Sequence, residues 1–170
     1  IGVLARRTRV PVYATRGTWR GMNLTPGPKD GCLRGEHSLT LGSVTVRAVT
    51  VPHDAREPVQ FCFHREGVQL GVLTDLGHCS RHVLDAYAGC DGLLLEFNHE
   101  PELLAEGPYP PQLKRRVGGP FGHLANAQAE GLLASLAPER LQLLVAGHLS
   151  AQNNRTPLVA EALERTVRSE

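Results

Sequence analysis

The chain has little with which to stack bases and no apolar run long enough for a membrane-spanning helix. Only 5% of its 170 residues are aromatic, among them four Phe and one Trp, so stacking platforms for nucleobases are scarce. No apolar run approaches the roughly 18 residues that a bilayer span needs. The formal net charge is +1. Global charge therefore argues neither for nucleic acid nor against it, and any anion site must rest on local clusters. Cys32, Cys62, Cys79 and Cys90 form no Cys-x-x-Cys pair, and a chain of this size needs no disulfide staples. Reduced thiols in a cytoplasmic protein are expected. No His-x-His occurs. There is no internal repeat either, because "GHL" at 122–124 opens a helical pattern whereas "GHL" at 147–149 ends a strand pattern.

What is present is an ordinary soluble composition, 41% hydrophobic and 21% charged, and a regular alternation of elements. "IGVLARRTRVPVYAT" (1–15) reads as the end of an amphipathic helix running into a strand, so the chain is expected to begin within an element. A short helix (16–22) and a Gly/Pro-rich loop (24–37) follow. Two hairpins are expected, at 38–51 around Gly42-Ser43 and at 58–75 around Glu66-Gly67. A helix at 80–89 can be capped by Ser80 and stopped by Gly89. "DGLLLEFN" (91–98) and "LQLLVAGH" (141–148) are continuous apolar runs of the kind that form buried strands. Between them lie a short helix, a Pro-rich loop with a basic segment (100–123) and a helix (124–136). A final amphipathic helix covers 157–168. Alternating strands and helices give an α/β or mixed α+β class.

Three ionisable residues end apolar strands: His53 in "VTVPHDA", Asp75 in "GVLTDLG" and His148 in "LVAGHLS". Strand ends are where a rigid sheet presents groups to a site. Two neutral imidazoles and a carboxylate are a ligand set for Zn²⁺, Mn²⁺ or Fe²⁺. If they share one dinuclear site, their side chains lie within roughly 8 Å of one another, because such metals sit about 3.5–4 Å apart.

These residues carry a resemblance. "VPVYAT", "VPHDAREPVQF", "GVLTDLG", "LLLEFNHE", "GPYPPQLKRRVGGPFGHLANAQA" and "AGHLSAQNN" resemble the metallo-β-lactamase-fold hydrolases, in their YycJ-like branch. The resemblance runs the full length of residues 1–170 and implies one domain, a four-layer αβ/βα sandwich with a two-metal site on its edge. By that resemblance His53 is a ligand of the first metal, Asp75 bridges both, and His148 is a ligand of the second. The family's His-x-His-x-Asp-His motif has no counterpart here. The chain therefore resembles the C-terminal two-thirds of such a domain.

His123 matches no ligand position. It resembles the histidine that related tRNA-processing endonucleases place beside the scissile phosphate at the start of a helix. There it can contact phosphate or protonate a leaving alkoxide; capping the helix is the plainer alternative. Lys114, Arg115 and Arg116, among prolines and glycines just before it, are expected to form a flexible clamp on a polyanionic backbone; a merely solvated face is the plainer alternative. Glu96, Asn98 and His99 are expected to orient ligands or substrate, or to serve only their loop. Asn98 and His99 are the candidates for substrate contact. The expected protein is a hydrolase of phosphodiesters that uses two divalent ions, Zn or Mn with Fe as a further option. Its substrate is DNA attacked from 5′ ends, or else a small cyclic phosphodiester. A non-catalytic chain is the rival reading, and residues 1–170 alone are expected to be inactive.

Overall fold

The computed structural model describes residues 2–136 and 140–168. After helix α1 (Gly2–Thr8), strand β1 (Tyr13–Thr15) leads into helix α2 (Arg16–Gly21), which is capped by the Thr15 hydroxyl. β1 pairs in parallel with β2 (Gly31–Leu33) as a small separate sheet. The Gly/Pro-rich composition of 24–37 reads as loop throughout. The three residues of β2 escape that reading because they are too short for a period and gain their hydrogen bonds only from β1.

The main sheet has six strands in the order β3-β4-β5-β6-β7-β8. β3 (Ser38–Leu41), β4 (Val44–Thr50), β5 (Val59–Arg65) and β6 (Val68–Leu73) form two antiparallel hairpins joined edge to edge. Both tight turns sit where the sequence indicates. Glu66 and Gly67 have φ of 51° and 81°, the two positive values that a type I′ turn demands. β7 (Gly92–Glu96) and β8 (Leu143–Gly147) then add in parallel to β6. Helix α3 (Arg81–Tyr87), capped by Ser80, makes the first crossover. Helices α4 (Pro101–Glu106), α5 (Pro111–Val117) and α6 (Asn126–Ser135) make the second, and α7 (Thr156–Arg168) closes the described chain.

One face of the sheet is covered. Val83, Ala86 and Tyr87 of α3, Ala129, Leu132 and Leu133 of α6, and Val159 and Ala162 of α7 pack on Val49, Cys62, Leu73, Leu93 and Leu95 of the sheet. The opposite face carries Val46, Phe63, Leu70 and Leu143 in one register row and Phe61, Val72, Leu94 and Val145 in the next. Among the described residues no helix lies over it. Of the expected four-layer sandwich, these residues thus show the main sheet with one helical layer, and the small β1-β2 sheet apart from it.

Two expectations fail here. β8 is not buried: it is the edge strand, with Leu143 58% and Val145 43% exposed on the uncovered face. An unbroken apolar run marks two faces that avoid water but cannot say that a covering layer is present. The basic segment is not a flexible loop either. It is the last turn of α5, started by Pro111 at its first position, where proline's missing N–H costs nothing.

The topology explains how the site is placed. β4, β6, β7 and β8 all run in the same direction, because β5 lies antiparallel between β4 and β6 while β6, β7 and β8 are parallel. Their C-terminal ends therefore share one edge, where Leu73 is in register with Leu95 and Glu96 with Gly147.

Candidate metal centre

His53, Asp75, Glu96 and His148 all emerge at that edge, from the ends of β4, β6, β7 and β8. His123 joins them from the loop before α6. Glu96 is the centre of the arrangement. It is fully buried, and its Oε1 accepts hydrogen bonds from Nδ1–H of His123 at 2.8 Å and of His148 at 2.6 Å. Its Oε2 takes the backbone N–H groups of Leu76 at 3.3 Å and Leu124 at 3.4 Å. Burial alone would raise the Glu96 carboxyl, but the hydrogen bonds from His123 and His148 overcome it and hold the pKa at about 2. Glu96 is thus held as a carboxylate at neutral pH. In turn it raises the pKa of His148, against the effect of burial.

These bonds fix the imidazole tautomers. His148 and His123 donate Nδ1–H to Glu96, and His53 donates Nδ1–H to the Gly122 carbonyl at 3.0 Å. In the neutral form each ring is left with an Nε2 lone pair. Two of those nitrogens face Asp75: His53 Nε2 lies 3.9 Å and His148 Nε2 3.7 Å from its Oδ1. With both rings neutral, acceptors face acceptors across these gaps, an arrangement that a cation between them satisfies. Two bonds of about 2.0–2.1 Å each can span at most about 4.2 Å, so both gaps fit a metal ion. Asp75, Glu96, His123 and His148 also present ligand atoms within 4.8 Å of one another. In that group Glu96 orients imidazoles: both its oxygens are already engaged and no water reaches it.

The structure thus brings His53, Asp75 and His148 within 4 Å contacts, well inside the expected 8 Å. His123 lies between the two other rings, with centroids 5.2 Å from His53 and 5.3 Å from His148. It does not cap α6, because it stands two residues before the Ala125 N-cap and the Gln128 side chain takes the Ala125 N–H.

The substrate-contact expectations for Asn98 and His99 fail. Asn98 is buried and donates Nδ2–H to the His148 carbonyl, holding the strand end behind the site. His99 is 3% exposed, with Nδ1 unpartnered and a pKa lowered by burial. Neither side chain offers a surface to substrate. The basic residues divide. Arg116 makes a two-pronged pair with Asp54, Nε to Oδ2 and Nη2 to Oδ1 at 3.0 Å, and this holds Asp54 below the usual carboxylate range. Lys114 donates to the Ala105 carbonyl. Arg115 is exposed.

Read from the sequence, Glu96 orients ligands or substrate or serves only its loop. The stronger signal was a carboxylate inside "DGLLLEFN", since a charge that ends an apolar run in a buried strand must find partners. The Arg116–Asp54 pair, 62 residues apart, left no sequence signal.

A mixed sheet that gathers imidazoles and carboxylates on one edge defines a class, and solved structures share its fold. Zn²⁺-bound PqqB from Methylobacterium extorquens is 17% identical, with TM-score 0.63 over 99% of this chain and 63% of its own. YhfI from Bacillus subtilis, a metallo-β-lactamase fold protein, is 15% identical, with TM-score 0.65 over 99% of this chain and 64% of its own. The chain has the metallo-β-lactamase fold. Within that fold it is YycJ-like: it is 31% identical over 172 residues to exodeoxyribonuclease YycJ of Bacillus anthracis, covering 98% of this chain and 65% of that protein. It is 32% identical over 161 residues to exodeoxyribonuclease WalJ of Streptococcus pneumoniae, covering 91% of this chain and 60% of that one. The chain thus spans somewhat under two-thirds of the length of these relatives. No family model matches it.

Proposed function

We propose that the protein carrying this chain is a metal-dependent phosphodiester hydrolase that acts on DNA from 5′ ends. The carrying observation is the set of Nε2 lone pairs, fixed by Glu96 and Gly122, that face Asp75. The YycJ and WalJ relatives, both named exodeoxyribonucleases, supply the substrate class. Imidazole and carboxylate donors suit Zn or Mn, with Fe a further option.

His53 and His148 would each hold one ion, with Asp75 between them. Divalent ions held there would supply charge neutralisation for a phosphodiester under attack and would lower the pKa of a water. The chain's own residues do the rest. His123, its Nδ1–H held by Glu96, exchanges its proton at Nε2. Glu96 fixes the orientation of that ring, so His123 can pass a proton to the leaving oxygen. Arg115 is the basic side chain of α5 that remains open for a backbone phosphate, while Arg116 pins α5 to the loop of His53. Four unpaired cysteines suit a reducing, cytoplasmic setting, and no helix among the described residues is long and apolar enough to cross a membrane.

The test follows release of nucleotides from 5′-labelled and 3′-labelled DNA by the full-length protein with Mn²⁺ or Zn²⁺. His123→Ala should slow turnover on the order of 10²-fold or more at unchanged metal stoichiometry. Asp75→Ala and His148→Ala should lose metal as well as turnover. Half the wild-type metal in His123→Ala would make His123 a ligand and overturn its role. Cleavage of small cyclic phosphodiesters but not of DNA would replace the substrate class.

A further inference from the structure

One of the four phenylalanines stands outside the core and beside the site. Phe121 is 55% exposed, in the loop between α5 and α6. Exposed aromatics on loops are usually mobile, but this one is not free to move with its backbone. Three consecutive carbonyls around it are pinned. His78 Nδ1–H donates to Pro120 O at 2.7 Å. The Asp54 N–H donates to Phe121 O at 2.9 Å. His53 Nδ1–H donates to Gly122 O at 3.0 Å.

Two glycines allow this tight course. A Cβ on Gly77 would lie 2.3 Å from the Pro120 carbonyl carbon, and one on Gly122 would lie 2.2 Å from the Arg116 and Val117 oxygens. The His78 ring meets the Phe121 ring edge-on, with centroids 6.1 Å apart and planes at 77°. In such a T-shaped pair His78 can cover one face of Phe121 at most, so the contact steadies the ring and leaves the other face free of His78. Two Cα steps separate Phe121 from His123, at most about 7.6 Å, and the same loop holds the ring of His53.

We propose that Phe121 is a stacking platform for the nucleobase attached next to the scissile phosphate, with His78 bracing the ring. This rests on the reading of the protein as a DNA hydrolase and adds to it a residue that grips the base. A frayed or single-stranded end presents an unpaired base one sugar away from the phosphate under attack. Every base has a π face, so a lone apolar ring grips it without choosing among the four. The rigid backbone keeps the ordering cost of that contact low.

The experiment uses the full-length protein and two single-stranded oligonucleotides. One is unmodified; the other carries abasic residues at its two 5′-terminal positions. On the unmodified strand, Phe121→Ala should raise KM about 5- to 150-fold, the equivalent of about 1–3 kcal/mol per stacked base. kcat and metal content should stay unchanged, and Phe121→Trp should restore the wild-type KM. On the abasic strand wild type and Phe121→Ala should coincide. The effect should be similar whichever base stands at the terminus. Equal losses on both strands, with a lowered Tm, would make Phe121 a packing residue and overturn the proposal. Cleavage by wild type with no effect of Phe121→Ala overturns it alone, leaving the hydrolase reading intact. A wild type that cleaves neither strand overturns both.

Discussion

Asp75 and His148 are held in left-handed backbone conformation, with φ of 53° and 57°. A non-glycine residue there costs roughly 1–3 kcal/mol and persists only where its surroundings over-determine it. At His148 the over-determination is visible: Glu96 holds its ring and Asn98 holds its carbonyl. Glu96 therefore supports both the strain and the ligand geometry, and its removal separates two effects. Glu96→Ala leaves two Nδ1–H groups and two backbone N–H groups without an acceptor in a buried pocket, and should cost about 3–5 kcal/mol in chemical denaturation. Glu96→Gln keeps an acceptor and should fold, but it loses the charge behind both imidazoles. Its metal affinity should fall about 10- to 100-fold, as for other partners of ligating histidines, read by competition with a chelator. Wild-type affinity in Glu96→Gln would mean that the tautomers are fixed without the charge.

At the level of elements, much was legible because the signals are local. Hairpin turns at Gly42 and Glu66-Gly67, the Ser80 cap and the two apolar runs each announce themselves within a few residues. His53, Asp75 and His148 were legible because each closes an apolar strand. Partnership across the sheet was not: nothing in "PQLKRRVGGPFGH" says that Arg116 pairs with Asp54, or that the segment is helical before its glycines. Asp91 is a similar hidden partner, at the edge opposite the site. Its carboxylate accepts from the Gln69 N–H of β6 at 2.7 Å and from Arg140 at 2.8 Å, and its backbone oxygen accepts from the start of β8. The Gln69 bond foremost, then Arg140, lowers its pKa. The unfolded chain then binds more protons than the folded one in the acid range. The stabilisation is present above about pH 4, the ordinary carboxyl value, and is lost as pH falls through the lower folded value. Asp91→Asn should be less stable than wild type at neutral pH. The two stability curves should converge below the folded pKa of Asp91, as followed by urea denaturation at a series of pH values. Parallel curves would show that the charge adds nothing.

For the whole molecule, the uncovered sheet face decides behaviour in solution. Val46, Phe61, Phe63, Leu70, Val72, Leu94, Leu143 and Val145 project from five adjacent strands to one side, and among the described residues β8 ends the sheet with an unpaired edge. A contiguous apolar patch of this extent is rare on a soluble monomer and drives association, and a flat apolar edge strand adds a template for pairing. Helices α3, α6 and α7 cannot relieve it, because all three lie on the opposite face. We expect residues 1–170 prepared alone to bind a hydrophobic dye such as ANS and to sediment as concentration-dependent oligomers. Leu70→Lys with Leu143→Lys places two like charges on the same register row, on either side of Gly92. That double variant should shift the chain towards monomer and reduce dye binding. The helical circular dichroism should be unchanged, because neither side chain belongs to the packed core. A monodisperse wild-type chain that binds no dye would mean that this face is not open to water. In that case the packing over β5 to β8 differs from the arrangement described.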